Sequence, residues 1–458
     1  MSSFQLPRIM LAAPASGSGK TMITCGLLKA LVNRSCKAIA YKCGPDYIDP
    51  MFHTTVTGVP CRNLDTYFAS KEMISHLIQS SADGMDIAVM EGVMGYFDGV
   101  AGFTTEASSY DLADKTNTPV VLIVNVKGMS LSVVPYIKGF VDYEKQKHIA
   151  GVILNNISPM MYPRLKELIE KEIGLGVLGY CPTLKEPFAG SRYLGLQMPQ
   201  ELSDIQKKVE SIARQLEQTV DMDALMELAR SASPMPYTEQ KVEALDKKVR
   251  IAVARDEAFC FYYQDNLDLL EKMGAVLVPF SPVHDSHLPD GIQGILLGGG
   301  YPELFAGKLS QNKSMRADIL QKLQKGLPYL AECGGFLYLL NSLQDAEGRE
   351  YPMVGFFEGR GYDAGKLSRF GYIELEAKAD NPFLQNGDTI KAHEFHYFDT
   401  DNNGSDYLAK KPQSSRSWDC MHVTTPINIP ENREPTPRNV ERAARSSASA
   451  LITEAIEP

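Results

Sequence analysis

The chain has 458 residues, too many for one small hydrophobic core, so two or three domains are expected. A formal net charge of −10 excludes a general nucleic-acid binder, which needs a basic surface, and fits a protein whose partners are small molecules. Eight cysteines without a C-x-x-C pair, and no signal peptide, point to free thiols in a reducing cytoplasm; no apolar run approaches the ~20 residues that span a bilayer.

In chain order, short apolar runs alternate with helical stretches through the first half. Ile9–Ala13, Ala38–Lys42, Asp86–Met90, Val120–Asn125, Gly151–Leu154 and Val177–Leu178 read as strands. Several are near-continuous Val/Ile/Leu, the pattern of strands covered on both faces of a parallel sheet. Met22–Val32, Lys71–Gln79, Ser130–Asp142, Tyr162–Glu172, Glu201–Gln218 and Asp223–Ala229 read as helices. The alternation predicts an α/β fold, with a first domain over residues 1–230.

Ser231–Lys248 is rich in Ser, Pro and charge and reads as a linker. A second α/β domain is expected over 249–426, with strands Ile251–Ala254, Ala275–Pro279, Gly294–Leu297 and Leu327–Ala331. Phe261–Lys272 and Asn312–Lys325 are its expected helices. Residues 427–458 carry prolines and charges but no aromatic residue, and read as an atypical tail.

The first strand runs into APASGSGKT, Ala13–Thr21, and then into a helix. Strand, Gly/Ser loop and helix in that order are the context of a phosphate-binding loop. Ser16, Gly17, Ser18, Gly19, Lys20 and Thr21 are therefore expected to bind nucleotide phosphates, with Lys20 on the outer phosphates and Thr21 on a magnesium ion. Pro14 stands where the usual pattern begins with Gly, so the loop is a variant.

Two further loops belong to the same sheet edge, where open parallel sheets bind ligands. YKCGPDYIDP, Tyr41–Pro50, places Asp46 and Asp49 in the loop after the second strand. Glu91–Asp98 supplies two more carboxylates. Thr21, Asp46 and Glu91 are the expected magnesium set, since magnesium takes hard oxygen ligands and keeps several waters. Asp49 and Asp98 are left to position a second substrate.

In the second half, LPYLAECGGFL places Cys333 after an apolar strand and before a helix, Phe336–Leu340. A cysteine on such a turn, near helix N–H groups that favour a thiolate, is a candidate nucleophile. GILLGGGYPE, Gly294–Glu303, ends a strand in three glycines; backbone N–H groups there, at Gly299 and Gly300, are candidates for an oxyanion hole. His393, His396 and His422 are the available bases, and spacing does not choose among them.

Together these segments resemble the cobyrinic acid a,c-diamide synthase family, glutamine-dependent amidoligases of cobalamin biosynthesis. The resemblance runs from about Leu6 to Thr425 and is most specific in APASGSGKT, KCGPDYIDP (Lys42–Pro50), NLDTYF (Asn63–Phe68), EGVMGYFDG (Glu91–Gly99), SRYLGLQMP (Ser191–Pro199), LLGGGYPE (Leu296–Glu303), AECGGFLYL (Ala331–Leu339), RFGY (Arg369–Tyr372) and HEFHYF (His393–Phe398). It implies a first domain like dethiobiotin synthetase that binds ATP and magnesium, and a second like triad-type glutamine amidotransferases. Members transfer the γ-phosphate to a corrin carboxylate, and ammonia displaces the phosphate, at c and then a. Asp46, Tyr47, Ile48, Asp49, Glu91 and Asp98 match the magnesium and substrate-orienting positions, and Cys333 the residue that attacks glutamine. Partners implied are cobyrinate, ATP and glutamine or ammonia, with no nucleic acid and no membrane.

The chain departs from the family at its end. Members close on a strand with a histidine in a pattern like G-Y-x-H-x-H-F, which activates the cysteine; here WDCMHVTTP, Trp418–Pro426, leads into a tail without histidine. No residue inherits that role, and use of free ammonia with an impaired glutaminase is expected. Two other readings stay open: a relative acting on another tetrapyrrole, such as nickel-sirohydrochlorin or the substrate of cobyric acid synthase, and a partition-type P-loop ATPase switch, which leaves Cys333 unexplained.

Overall fold

The computed structural model describes residues 2–184, 191–192, 195–196, 204–381 and 384–422. The chain divides into two units, Met1–Gln240 and Lys241–Pro458.

The first unit is built on β1 (Ser2–Phe4), β2 (Arg8–Ala12), α1 (Lys20–Asn33), β3 (Ala38–Cys43), α2 (Ile48–Thr57), β4 (Cys61–Leu64), α3 (Lys71–Ser81), β5 (Ile87–Glu91), α4 (Ser109–Thr116), β6 (Val120–Asn125), α5 (Val133–Tyr143), β7 (Ile149–Asn155), α6 (Tyr162–Ile173) and β8 (Val177–Cys181). Next come β9 (Ser191–Arg192), β10 (Gly195–Leu196), α7 (Ile205–Thr219), α8 (Met222–Arg230) and β11 (Met235–Tyr237). Among the described residues β4-β3-β5-β2-β6-β7-β8 form one seven-stranded parallel sheet. Every residue of β2, β3 and β5 is buried, as near-continuous apolar runs require. One core packs the sheet against α1, α7 and α8 through Leu27, Leu31, Ile212, Leu216 and Leu225. The sheet starts at its centre and doubles back, so the loops after β2, β3 and β5 gather at one carboxyl edge.

Several expectations shift. Asp49 lies in the first turn of α2, a helix that was expected to be loop, and Glu91 is the last residue of β5 rather than a loop residue. Pro50 does not break α2 because the first turn has no intrahelical use for its N–H. The expected linker contains β11, which pairs antiparallel with β1. Arg8, fully buried, ties the same segment down, donating to Ser233 O (2.6 Å), Thr116 O (2.8 Å) and Thr118 Oγ1 (3.1 Å). Of SRYLGLQMP only the β9–β10 residues are described, and residues 427–458 lie outside the described residues.

The second unit has a parallel sheet ordered β14 (Ala275–Phe280), β12 (Val249–Ala254), β15 (Gly294–Leu297) and β17 (Tyr329–Ala331). β13 (Phe259–Phe261) pairs antiparallel with β16 (Gly299–Gly300), so the expected helix from Phe261 starts only at Gln264, as α9 (Gln264–Lys272). α10 (Ala306–Gln311), α11 (Lys313–Gln324) and α12 (Gly334–Leu339) complete this part. Beyond it lie two four-stranded sheets that the sequence reading did not assign. One joins Thr389–His396, Arg369–Ala377, Tyr407–Lys410 and Ser417–Cys420, all antiparallel. Among the described residues no helix is long and apolar enough to cross a membrane.

Candidate functional site

The phosphate loop is held open by its own backbone. Gly19 caps α1 in the left-handed region (φ 94°), no side chain caps the helix, and no acidic residue occupies its first turn. The first N–H groups are thus left for an anion, which the helix dipole favours. Gly19 is also required sterically, because a Cβ there would overlap the Asn155 amide. That amide donates to Ser18 O at 2.8 Å and pins the loop to the end of β7; sequence reading passed over Asn155. Lys20 Nζ donates to Met94 O at 2.6 Å. Burial, and then Lys42, lower its ammonium to about 8.

Behind the loop lies a buried polar cluster. Lys42 is 4 % exposed, Glu91 1 % and His53 0 %. Lys42 Nζ donates to Asp49 Oδ2 at 2.5 Å and to Glu91 Oε1 at 2.8 Å. Thr21 Oγ1 donates to Glu91 Oε1 at 2.8 Å, and His53 Nε2 lies 2.6 Å from Glu91 Oε2. Burial alone would raise Glu91, but Lys42 and then His53 outweigh it and hold the carboxyl well below its ordinary range. Burial would likewise lower Lys42, yet Asp49, Glu91 and Asp46 keep it an ammonium. Sequence reading singled out the two carboxylates and missed both basic partners. The signal was present: Asp49 and His53 stand at i and i+4, one face of a helix once α2 is recognised.

Asp46 sits at the entrance of α2, where Oδ1 accepts the N–H groups of Ile48 (2.8 Å) and Asp49 (3.0 Å). Burial and Asp49 push it up to about 6. Asp98 Oδ2 accepts Gly95 N–H at 2.9 Å and closes its loop. Tyr47 is half-buried and Ile48 buried at the start of α2. Thr21 and Glu91 therefore offer hard oxygens at one point, which fits magnesium. Among the described residues no group of three or more His, Cys, Asp or Glu is disposed to hold a metal. Such an ion would take its remaining ligands from phosphate and water.

In the second unit Cys333 occupies the sharp turn between β17 and α12, with φ 49° and ψ −114°, a conformation rare for a residue with a Cβ. Gly335 lets α12 press against the end of β15, since a Cβ there would overlap Leu297 O. The N–H groups of Gly334 and Gly300 hydrogen-bond the thiol, and Gly299 lies alongside. The expected thiolate is a correction, however. The residue borders solvent, but the atoms packed around the sulfur, and then Glu303, raise the thiol to about 11, and the two N–H groups do not offset this.

The three histidines considered as bases differ. His396 Nδ1 lies 2.7 Å from Phe398 O. Burial, and then Lys411, depress His393 to about 4. His422 stacks on Phe357 (4.7 Å between ring centres) and on Phe336 of α12 (5.8 Å). Among the described residues its buried Nε2 has no hydrogen-bond partner.

Residues 9–191 match the CobQ/CobB/MinD/ParA nucleotide binding domain, and residues 250–419 match the CobB/CobQ-like glutamine amidotransferase domain. A nucleotide-binding P-loop domain followed by an amidotransferase domain defines a glutamine-dependent ligase. A cobyrinate a,c-diamide synthase of Caldanaerobacter subterraneus subsp. tengcongensis is 40 % identical over 418 residues, covering 90 % of this chain and 92 % of the relative. Synthases of the same name from Dehalococcoides mccartyi (39 % over 398 residues, 85 % and 86 %) and Listeria innocua (39 % over 409 residues, 88 % and 90 %) are similar along comparable lengths. The chain belongs to the cobyrinate a,c-diamide synthase family.

Proposed function

We propose that this chain amidates the a and c carboxylates of cobyrinate, using ATP, in corrin biosynthesis. The observation that carries the reading is the meeting of phosphate-loop Thr21 with Glu91, Lys42 and Asp49 at one buried point, in a chain 40 % identical to a named cobyrinate a,c-diamide synthase. Lys20 and the N–H groups opening α1 hold the triphosphate. A carboxylate oxygen of the acceptor attacks the γ-phosphorus as the bond to ADP breaks. Ammonia then attacks the acyl carbon, inorganic phosphate leaves with the C–O electron pair, and loss of a proton gives the amide. Magnesium, held by Thr21 and Glu91 with Asp46 nearby, would neutralise charge on the transferring phosphoryl group. Asp49 and Asp98, with Tyr47 and Ile48, orient the acceptor.

The second unit supplies nitrogen when Cys333 sulfur attacks the glutamine carboxamide carbon and the C–N bond breaks, releasing ammonia and leaving a thioester that water cleaves to glutamate and the free thiol, with Gly299 and Gly300 flanking the oxyanion. The raised thiol and the missing C-terminal histidine pattern support a weakened glutaminase, so free ammonia is the better nitrogen source. Mass analysis of cobyrinate after incubation with Mg-ATP and either ammonium chloride or glutamine tests both parts. One and two amidations with ammonium, and slower turnover with glutamine, are expected. No ADP and no amide from cobyrinate, with product from nickel-sirohydrochlorin, would move the assignment to that substrate.

A further inference from the structure

We infer that His53 is a positioning residue of the nucleotide site: it fixes the Glu91 carboxylate and so aims the oxygen that Glu91 presents to the ion travelling with the nucleotide. The inference rests on the magnesium-nucleotide reading of that site.

The ring is wholly buried and both of its nitrogens are engaged. Nε2 lies 2.6 Å from Glu91 Oε2, and Nδ1 lies 3.1 Å from Cys25 Sγ. With no exposed surface it acts through Glu91 rather than on substrate. The two oxygens of Glu91 are divided between partners: Oε1 receives Lys42 and Thr21, and Oε2 meets His53. A donor on each oxygen fixes the carboxylate plane. Lys42 and Thr21 both lie on Oε1, so His53 is the partner that restrains Oε2.

The backbone provides this geometry twice. Cys25 follows Thr21 by four residues in α1, and His53 follows Asp49 by four in α2. Thr21 and His53 touch Glu91 directly, while their i, i+4 partners act one step removed, Cys25 on His53 and Asp49 on Lys42. A residue needed only to fill this space would be apolar, because burying an imidazole costs free energy unless its nitrogens are paired. When Thr21 turns its oxygen toward an ion, Lys42 and His53 remain to hold Glu91.

The test uses the full chain with His53→Leu, His53→Asn and His53→Gln. The glutamine amide reaches the place of Nε2 and keeps a donor; asparagine is too short, and leucine has none. Manganese is the probe, its binding to the ATP-loaded protein read by electron paramagnetic resonance. ATP binding in chelator, which needs no metal, reports an intact phosphate loop. His53→Leu and His53→Asn are expected to weaken manganese binding about 10–100-fold while metal-free ATP binding stays within about threefold, and His53→Gln to recover most of the loss. If the leucine protein does not fold, the asparagine and glutamine pair decides. Wild-type manganese affinity in the asparagine or leucine protein, or equal loss in the glutamine and asparagine proteins, overturns the inference. Manganese binding needs no acceptor acid. A chain that keeps this His53 dependence but makes no amide therefore removes the proposed function and leaves the inference standing.

Discussion

Lys42 and Glu91 are direct partners in the register of adjacent parallel strands, and the ammonium of one lies 2.8 Å from a carboxylate oxygen of the other. The pairing puts a positive charge behind the phosphate loop, in the site proposed to gather a carboxylate, a metal and phosphates. Asp49 shares that ammonium, and Lys42 with His53 keeps the buried Glu91 carboxylate ionised. An unpaired carboxylate buried there would protonate and lose its value as an oxygen ligand.

Lys42→Met removes the shared counter-charge and keeps the unbranched stem up to the last atom. Breaking a buried pair from one side costs about 3–5 kcal/mol. Thermal unfolding is expected to move down by that amount, and ADP formation to vanish even where the variant is still folded. A variant within 1 kcal/mol of wild type, by the scale of exposed pairs of about that size, would show that Lys42 does not hold the cluster together.

Gly19→Ala tests the loop. At φ 94° the alanine is strained, and its methyl overlaps the Asn155 amide that holds Ser18. Strain of about 1–3 kcal/mol, expressed at the loop, corresponds to a roughly 5–150-fold loss of ATP affinity. A fluorescent ATP analogue measures it. Unchanged affinity would mean that the loop conformation does not serve the phosphates.

The Cys333 thiol sits at about 11, and thiolate is the form that reacts. A raised value means less thiolate near neutrality, so the alkylation rate at Cys333 should keep climbing well past the ordinary thiol value of about 8.5. Mass spectrometry after iodoacetamide labelling from pH 7 to 11 follows the site, and a plateau below pH 9 contradicts the expectation. Cys333→Ser should abolish glutamine use while sparing amidation driven by ammonium chloride. Loss of both would end the division of labour between the two units.

His393 gives the second unit an acid-sensitive element. Its folded value of about 4 lies below the ordinary value of about 6.5, so between these pH values the unfolded chain binds the extra proton. Stability from this group is complete above about pH 6.5 and is lost as pH falls toward 4, by at most roughly 3 kcal/mol. Urea unfolding of the wild type and of His393→Gln between pH 7 and 4.5 reads it. The variant is expected to be less stable at pH 7 but to lose stability less steeply; parallel curves would count against a buried neutral imidazole.

Much of the architecture is local information. Val120–Asn125 was read without error because six consecutive apolar or small polar residues, bounded by turns, leave little choice in a sheet covered on both faces. Arg369–Ala377 escaped because its burial alternates only loosely, and its partners lie in later strands. Trp418 shows the same dependence: it sits beneath Arg369, 5.0 Å away, across a sheet whose pairing no short window contains.

The alternation of strand and helix, the phosphate loop at the first strand end and the cysteine at a strand-to-helix turn are legible in the amino-acid order, because each is written in contiguous residues. Tertiary structure alone decided charge and partnership. Asp49 left its expected loop because a proline in the first helical turn is harmless, and this brought His53 onto the same face. Cys333, expected to ionise easily, has its thiol raised by the atoms packed on the sulfur and by Glu303 of another element, although the residue borders solvent. Proton affinity and ion pairing depend on which distant side chains share a few ångströms, and the register of one strand against another fixes that distance.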